Sequence, residues 1–204
     1  NGQDLMPKIS AEHQRTRHLA ESIRVGFSQT SSGRPCTDII HLGIGGSDTG
    51  PHLLIDALGP ITPRPAIQAH FVPNIDGHAL ASCLARLDPT RTLIVLASKS
   101  FETLETLTNA EICLTWMASA GIAQPKENFF AVTAYPDKAI AWGIAAERIL
   151  WFDESVGGRY SIWGPVSITA RAVLGNAAVD DFLKGGVAMD VHFAQAHDEQ
   201  NLPI

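Results

Sequence analysis

Three short stretches of the 204-residue chain hold residues able to grip one anion and stabilise another. The first is Gly43-Ile44-Gly45-Gly46-Ser47-Asp48-Thr49-Gly50. Its glycines permit positive φ angles and close backbone approach. A helix starting there would offer unpaired N–H groups and the positive end of its dipole, with the Ser47 hydroxyl at the same spot, which suits a phosphate. Two other readings compete. A dinucleotide fingerprint counted from Gly43 needs its third glycine at position 48, where Asp48 stands and would face a pyrophosphate. A tight turn can also use the same glycines with no ligand at all.

The second stretch is Ser98-Lys99-Ser100-Phe101-Glu102-Thr103. The hydroxyls of Ser98, Ser100 and Thr103 can converge on a helix start. Each hydrogen bond to a charged group is worth about 1.5–3 kcal/mol, so three can hold a phosphate without a dense basic patch. The plainer alternative is one N-cap with the other hydroxyls solvated. Lys99 reads either as a screen for the phosphate or as a surface lysine. Glu102 and Glu105 read as complements of the helix dipole. The third stretch is Val156-Gly157-Gly158-Arg159-Tyr160-Ser161. Its glycines let the backbone approach a ligand and place Arg159 where a guanidinium can stabilise an oxyanion formed from a sugar carbonyl. The alternative is an arginine bonded to helix C-termini.

These stretches need a scaffold, and the hydrophobic pattern supplies one. Short apolar runs at 39–42, 67–72, 93–97, 129–132 and 149–152 are too short for helices. Most lack alternation, as parallel strands buried on both faces do; the second, with Gln68 and His70, belongs nearer an edge. Helices are expected at 51–58, 78–87, 104–120 and 137–146 between the strands, at 11–25 before them, and at 162–174 and 179–196 after them. Ser10 and Gly26 bound the first helix, and a Ser/Gly/Pro stretch at 28–35 reads as a linker. The expected fold is α/β, a three-layer α/β/α sandwich with a five-stranded parallel sheet. In such a sheet ligands sit beyond the carboxyl ends of the strands, where all three stretches fall.

Composition narrows the options. A chain that is 45% hydrophobic buries a core without disulfide or metal staples. A net charge of −6 argues against a nucleic-acid or membrane-surface partner. Cys36, Cys83 and Cys113 are odd in number and far apart in sequence, so free thiols in a reducing cytoplasm are expected, with no metal site. No apolar run approaches the roughly 18 residues of a membrane span, and no signal peptide is evident. The chain opens on Asn1 and stops at Pro203-Ile204 with no polar tail, so both ends are expected to be cuts in a longer protein.

The strings HLGIGGSDTGP, FVPNIDG, ASKSFETLETLTNA and VGGRYSIW, in this order and spacing, resemble the glucose-6-phosphate isomerase family. The resemblance runs from about Asp38 to the end and more faintly through the first helix. It implies a sugar isomerase (SIS) domain over 36–200, preceded by a helix and linker over 1–35, with a second SIS domain absent. It implies that Ser47, Ser98, Ser100 and Thr103 bind the substrate phosphate with backbone help near Gly46 and Lys99. Arg159, beside Gly158 at the substrate, would then stabilise an enediolate. The family interconverts glucose 6-phosphate and fructose 6-phosphate through a cis-enediol, without metal or organic cofactor, as a cytoplasmic homodimer in glycolysis and gluconeogenesis. Ser100 and Glu102 stand where threonines are common, and Gly164-Pro165 replaces a more helix-friendly pair; none removes a group invoked here. The family's catalytic glutamate, ring-opening histidine and late lysine have no counterpart, and His52 and His78 are not assigned those roles. A piece that binds hexose phosphate without turning it over is therefore expected. The rival readings are an SIS-type phosphosugar-responsive regulator and a nicotinamide-dependent dehydrogenase, the latter opposed by Asp48.

Overall fold

The structure, a computed structural model, describes residues 4–27, 30–62 and 66–203. The apolar runs form β1 (Asp38–Leu42), β2 (Gln68–Val72), β3 (Thr92–Ala97), β4 (Phe129–Thr133) and β5 (Ile149–Trp151). All pair in parallel, in the order β2-β1-β3-β4-β5. Every residue of β3 and β4 is buried, which explains why TLIVLA and FFAVT run without polar alternation. β2 is an edge, as Gln68 and His70 predict, and His70 Nε2 lies 2.8 Å from Asp38 Oδ1 on β1.

Among the described residues, seven α-helices surround the sheet: α1 (Met6–Arg24), α2 (Gly46–Leu58), α3 (Gly77–Leu84), α4 (Leu104–Ser119), α5 (Pro136–Trp142), α6 (Ile168–Leu174) and α7 (Asn176–Gln195). Strand side chains alternate faces with period two, and the two cores follow that parity. Ile39, Leu93, Val95, Phe130, Val132 and Leu150 pack with Ala20 and Ile23 of α1, Leu54 of α2, Ile168 of α6 and Val179 of α7. Ile40, Leu42, Ile94, Leu96, Phe129 and Ala131 pack with Leu80 of α3, Ala110 and Met117 of α4 and Ala139 of α5. The result is the expected three-layer α/β/α sandwich. Cys36 belongs to the first core, Cys83 and Cys113 to the second; all three are free thiols, and burial pushes those of Cys36 and Cys113 up to about 12.

Three boundaries differ from the sequence expectation for local reasons. α1 begins about a turn early because Pro7 occupies its first turn, where a missing N–H costs nothing. The helix expected over 162–174 is broken: Gly158–Trp163 and Pro165–Ser167 form 3₁₀ turns around an extended Gly164, and only Ile168–Leu174 is α-helical. α2 begins at Gly46 rather than at Pro51. In the stretch read as a linker, Ser28 and Gln29 lie outside the described residues. The remainder is tied to the sheet's other end: Thr30 Oγ1 donates to the Thr90 carbonyl at 2.7 Å and the Ser31 amide to Asn128 Oδ1 at 2.6 Å. No helix among the described residues is long and apolar enough to cross a membrane.

Candidate functional site

The strand order places a reversal between β1 and β3. The connection after β1 runs through α2 on one face of the sheet and the connection after β3 through α4 on the other. A crevice at the carboxyl ends follows from that divergence. Leu42 pairs with Leu96 across β1 and β3, so the stretches from Gly43 and from Ser98 leave the sheet side by side.

The first of them is fixed from beneath. Gly45 takes φ 58° and ψ −121°, a region L-residues rarely enter. At Gly43 a Cβ would stand 2.7 Å from the Ser47 carbonyl oxygen, so only glycine fits. The amides of Ser47, Asp48 and Thr49 fold back to the carbonyls of Ile44 and Gly45 at 3.2, 3.0 and 2.8 Å. Fewer N–H groups therefore face outward than the sequence suggests; among the described residues, those of Gly45 and Gly46 pair with no backbone carbonyl and lie beside the half-buried Ser47. Pro51 inside α2 has no N–H for the Ser47 carbonyl four residues back. His41 Nε2 takes that acceptor at 2.7 Å, and its Nδ1 lies 2.8 Å from Thr169 Oγ1 of α6. A carbonyl only accepts, so Nε2 carries the proton and the Thr169 hydroxyl donates to Nδ1. His41 is fully buried, and burial holds its pKa down at about 4 against the opposing pull of the Ser47 carbonyl. The imidazole is neutral. Asp48 is also buried, its Oδ1 has no partner among the described residues, and burial raises its pKa.

The second stretch brings its hydroxyls together. Thr103 is the N-cap of α4, yet its side chain caps nothing: Thr103 Oγ1 faces Ser98 Oγ at 3.0 Å. Ser100 Oγ accepts from the Glu102 amide at 3.2 Å. Between them Phe101 sits at φ 54°, the one non-glycine residue with positive φ among those described. Its ring is buried in the second core, edge-on to Trp142 at 6.4 Å, and that anchorage holds a conformation that costs an L-residue about 1–2 kcal/mol. The Lys99 carbonyl accepts from the Ala134 amide and from Thr133 Oγ1, both at 3.1 Å. Lys99 Nζ reaches the Val156 carbonyl of the third stretch at 3.1 Å. Glu102 differs from the dipole reading: its carboxylate pairs with Lys138 Nζ at 2.6 Å.

The third stretch presses on the first. A Cβ on Gly46 would stand 2.2 Å from the carbonyl carbon of Gly158, so the two loops meet backbone to backbone. Ser161 Oγ lies 2.7 Å from both the Gly46 and the Gly158 carbonyl oxygens, one hydroxyl shared between the loops. Arg159 is exposed and lines an open cleft of about 650 Å³ with Gly45, Gly46, Thr49 and Gly158, together with the apolar side chains of Leu53, Ile162, Trp163 and Phe182. None of the ion pairs among the described residues engages it. That cleft gathers Gly46, Gly158 and Arg159. Ser98, Lys99, Ser100 and Thr103 stand outside it at the end of β3, linked through the Lys99–Val156 bond. Neither His52 nor His78 lines that cleft: His52 stacks on Phe71 at 4.3 Å with its Nδ1 3.9 Å from Asp48 Oδ2, and His78 is exposed.

Sequence reasoning missed His41, Phe101 and Ser161. A signal existed for the first: a histidine in a strand otherwise written Asp-Ile-Ile-His-Leu must find partners when buried.

Comparison with known proteins matches the chain to a family. The family model described as phosphoglucose isomerase matches residues 1–204. A glucose-6-phosphate isomerase of Cereibacter sphaeroides is 42% identical over 204 residues, and one of Roseobacter denitrificans is 42% identical over 204 residues. Both alignments cover all of this chain; it spans 38% and 36% of those relatives' lengths. The crystal structure of a glucose-6-phosphate isomerase from Chlamydia trachomatis superposes with a TM-score of 0.82 at 27% identity, over 100% of this chain and 38% of that one. On the match along its full length, the chain belongs to the phosphoglucose isomerase family.

Proposed function

We propose that this chain supplies the phosphate grip and the enediolate-stabilising arginine of an enzyme that interconverts glucose 6-phosphate and fructose 6-phosphate. The observation that carries the reading is the meeting of Gly46 with Gly158 at the β1–β3 reversal, with Arg159 lining one cleft with Gly45 and Gly46. In this reading the hydroxyls of Ser47, Ser98, Ser100 and Thr103, with the backbone at Gly46 and Lys99, hold the dianion, and Gly158 lets the sugar approach. A base then removes the C2 proton of the open-chain aldose. The electron pair forms the C1–C2 double bond and charge collects on O1, where the Arg159 guanidinium stabilises it. Return of a proton to C1, with the C2 hydroxyl passing its proton to O1 and becoming the carbonyl, completes the ketose with no net oxidation. The base, the ring-opening group and a second SIS domain belong to the remainder of a longer enzyme, a cytoplasmic homodimer of glycolysis and gluconeogenesis. Residues 36–200 are its first SIS domain, and residues 1–35 lead into it.

Calorimetric titration with fructose 6-phosphate tests the grip. One charge-assisted hydrogen bond of about 1.5–3 kcal/mol corresponds to roughly ten- to a hundredfold in affinity. Ser98→Ala and Thr103→Val should each weaken binding by about that factor, and the 204-residue chain alone should not turn over. Binding indifferent to both substitutions would refute the site. In the full-length enzyme Arg159→Ala should lower kcat more than it raises KM; an intact kcat would remove Arg159 from the chemical step.

A further inference from the structure

We propose that His41 is a positioning residue that sets the first turn of α2, and through it the Ser47 hydroxyl, by donating to the carbonyl that Pro51 leaves without a partner. The functional half of this inference rests on the reading of Ser47 as a phosphate ligand; the structural half does not. A proline at the sixth position of a helix removes one bond from the ladder and frees the carbonyl four residues earlier, here that of Ser47. A freed carbonyl at a helix start normally turns to water. This one points inward instead, against Gly43, where no Cβ fits, and meets His41 Nε2 at 2.7 Å. The imidazole is held in turn by Thr169 Oγ1 on α6 at 2.8 Å.

β1, α2 and α6 are thus joined through one buried ring, and the position of Ser47 is fixed by a strand and a helix remote in sequence. The arrangement is directional. Ser47 can only accept at its carbonyl, so the ring must present N–H at Nε2 and a lone pair at Nδ1. The hydrogen bond at each ring nitrogen is therefore separable by substitution. A glutamine at 41 can place its carboxamide nitrogen near Nε2 and keep the bond to Ser47. An asparagine can place its carboxamide oxygen near Nδ1, accept from Thr169, and fall short of Ser47.

His41→Gln and His41→Asn are compared in the full chain by two measurements. The first is amide hydrogen exchange at Ser47, Asp48 and Thr49 without ligand, with the β3 amides as internal reference; the second is calorimetric titration with fructose 6-phosphate. The asparagine variant should exchange about tenfold faster at 47–49 with β3 unchanged, and bind about five- to tenfold more weakly. The glutamine variant should stay within about twofold of the parent on both. Unchanged exchange at 47–49 in the asparagine variant overturns the proposal. So does equal damage by both variants, or loss of β3 protection together with the turn, which would make His41 a general core residue. If exchange responds as expected and sugar-phosphate affinity does not, His41 sets the turn and it is the phosphate role of Ser47 that fails.

Discussion

Gly46→Ala gives the sharpest test of how the arginine is placed. Gly46 is the first residue of α2, where alanine is the better helix former by about 0.5–1 kcal/mol, so local propensity favours the substitution. Packing opposes it. The new Cβ would lie 2.2 Å from the Gly158 carbonyl carbon and 2.3 Å from its Cα and oxygen. Carbon contacts settle near 3.5–4.0 Å, so the loops must part by about 1 Å or more, and the obstacle is backbone that no rotamer change relieves. Ser161 would then lose at least one of its two carbonyl partners. Overpacking of this kind costs about 1–3 kcal/mol, which outweighs the gain in propensity. The larger effect concerns Arg159, the next residue after Gly158 and the proposed enediolate-stabilising group. Displacing a catalytic group by about 1 Å costs roughly a hundredfold in rate. In the full-length enzyme kcat should fall by about that factor, while Gly59→Ala, at a site with nothing within 4 Å of the added carbon, should leave kcat unchanged. Steady-state assay of both variants, with urea denaturation to verify folding, decides the matter. A folded Gly46→Ala enzyme within threefold of the parent would show that the contact between the loops does not place the guanidinium.

Two further outcomes are expected. His41 titrates at about 4 when folded against 6.5 when exposed, so the unfolded chain binds more protons between those values. Its contribution is complete above pH 6.5 and lost as pH falls toward 4, about 3 kcal/mol in all. The fall in unfolding free energy over that range should be smaller by about this amount in His41→Gln, and parallel pH profiles would contradict the neutral, buried imidazole. Phe101→Ala should cost about 3–5 kcal/mol through the lost core volume, partly offset if the loop relaxes from its positive φ. A drop in the urea midpoint together with weakened fructose 6-phosphate binding is the expected result, and unchanged binding would mean the Ser98–Thr103 loop does not depend on that anchor.

Much of this architecture is legible in the sequence because burial on both faces leaves a direct trace. TLIVLA and FFAVT, short and without polar alternation, suit interior parallel strands, and the polar residues of β2 mark an edge. The stretches after β1, β3 and β5 declare themselves by glycine and hydroxyl content. What escapes is whatever depends on contacts distant along the chain. Local sequence does not state that β3 joins β1 on the side away from β2, and that order creates the crevice. The expected start of α2 at 51 lies five residues late because proline ordinarily opens a helix, and the carbonyl that Pro51 frees is met by a histidine ten residues earlier that a threonine from α6 holds. Phe101 in a left-handed conformation runs against its own propensity and is held there by Trp142 and the core. The Gly46–Gly158 contact joins residues more than a hundred positions apart, so neither glycine alone reveals why a side chain is forbidden there.

The three thiols offer a built-in readout of how this molecule comes apart. Alkylating reagents consume thiolate, and burial leaves almost none on Cys36 or Cys113 at neutral pH. Modification must therefore await exposure of the layer that shelters each one. Cys36 lies in the core beneath the helices of one face, and Cys113 is on α4 itself, packed into the core of the other. Pulse alkylation followed by peptide mass mapping would accordingly report, from the native sequence and without an engineered probe, which flank of the sheet is breached first.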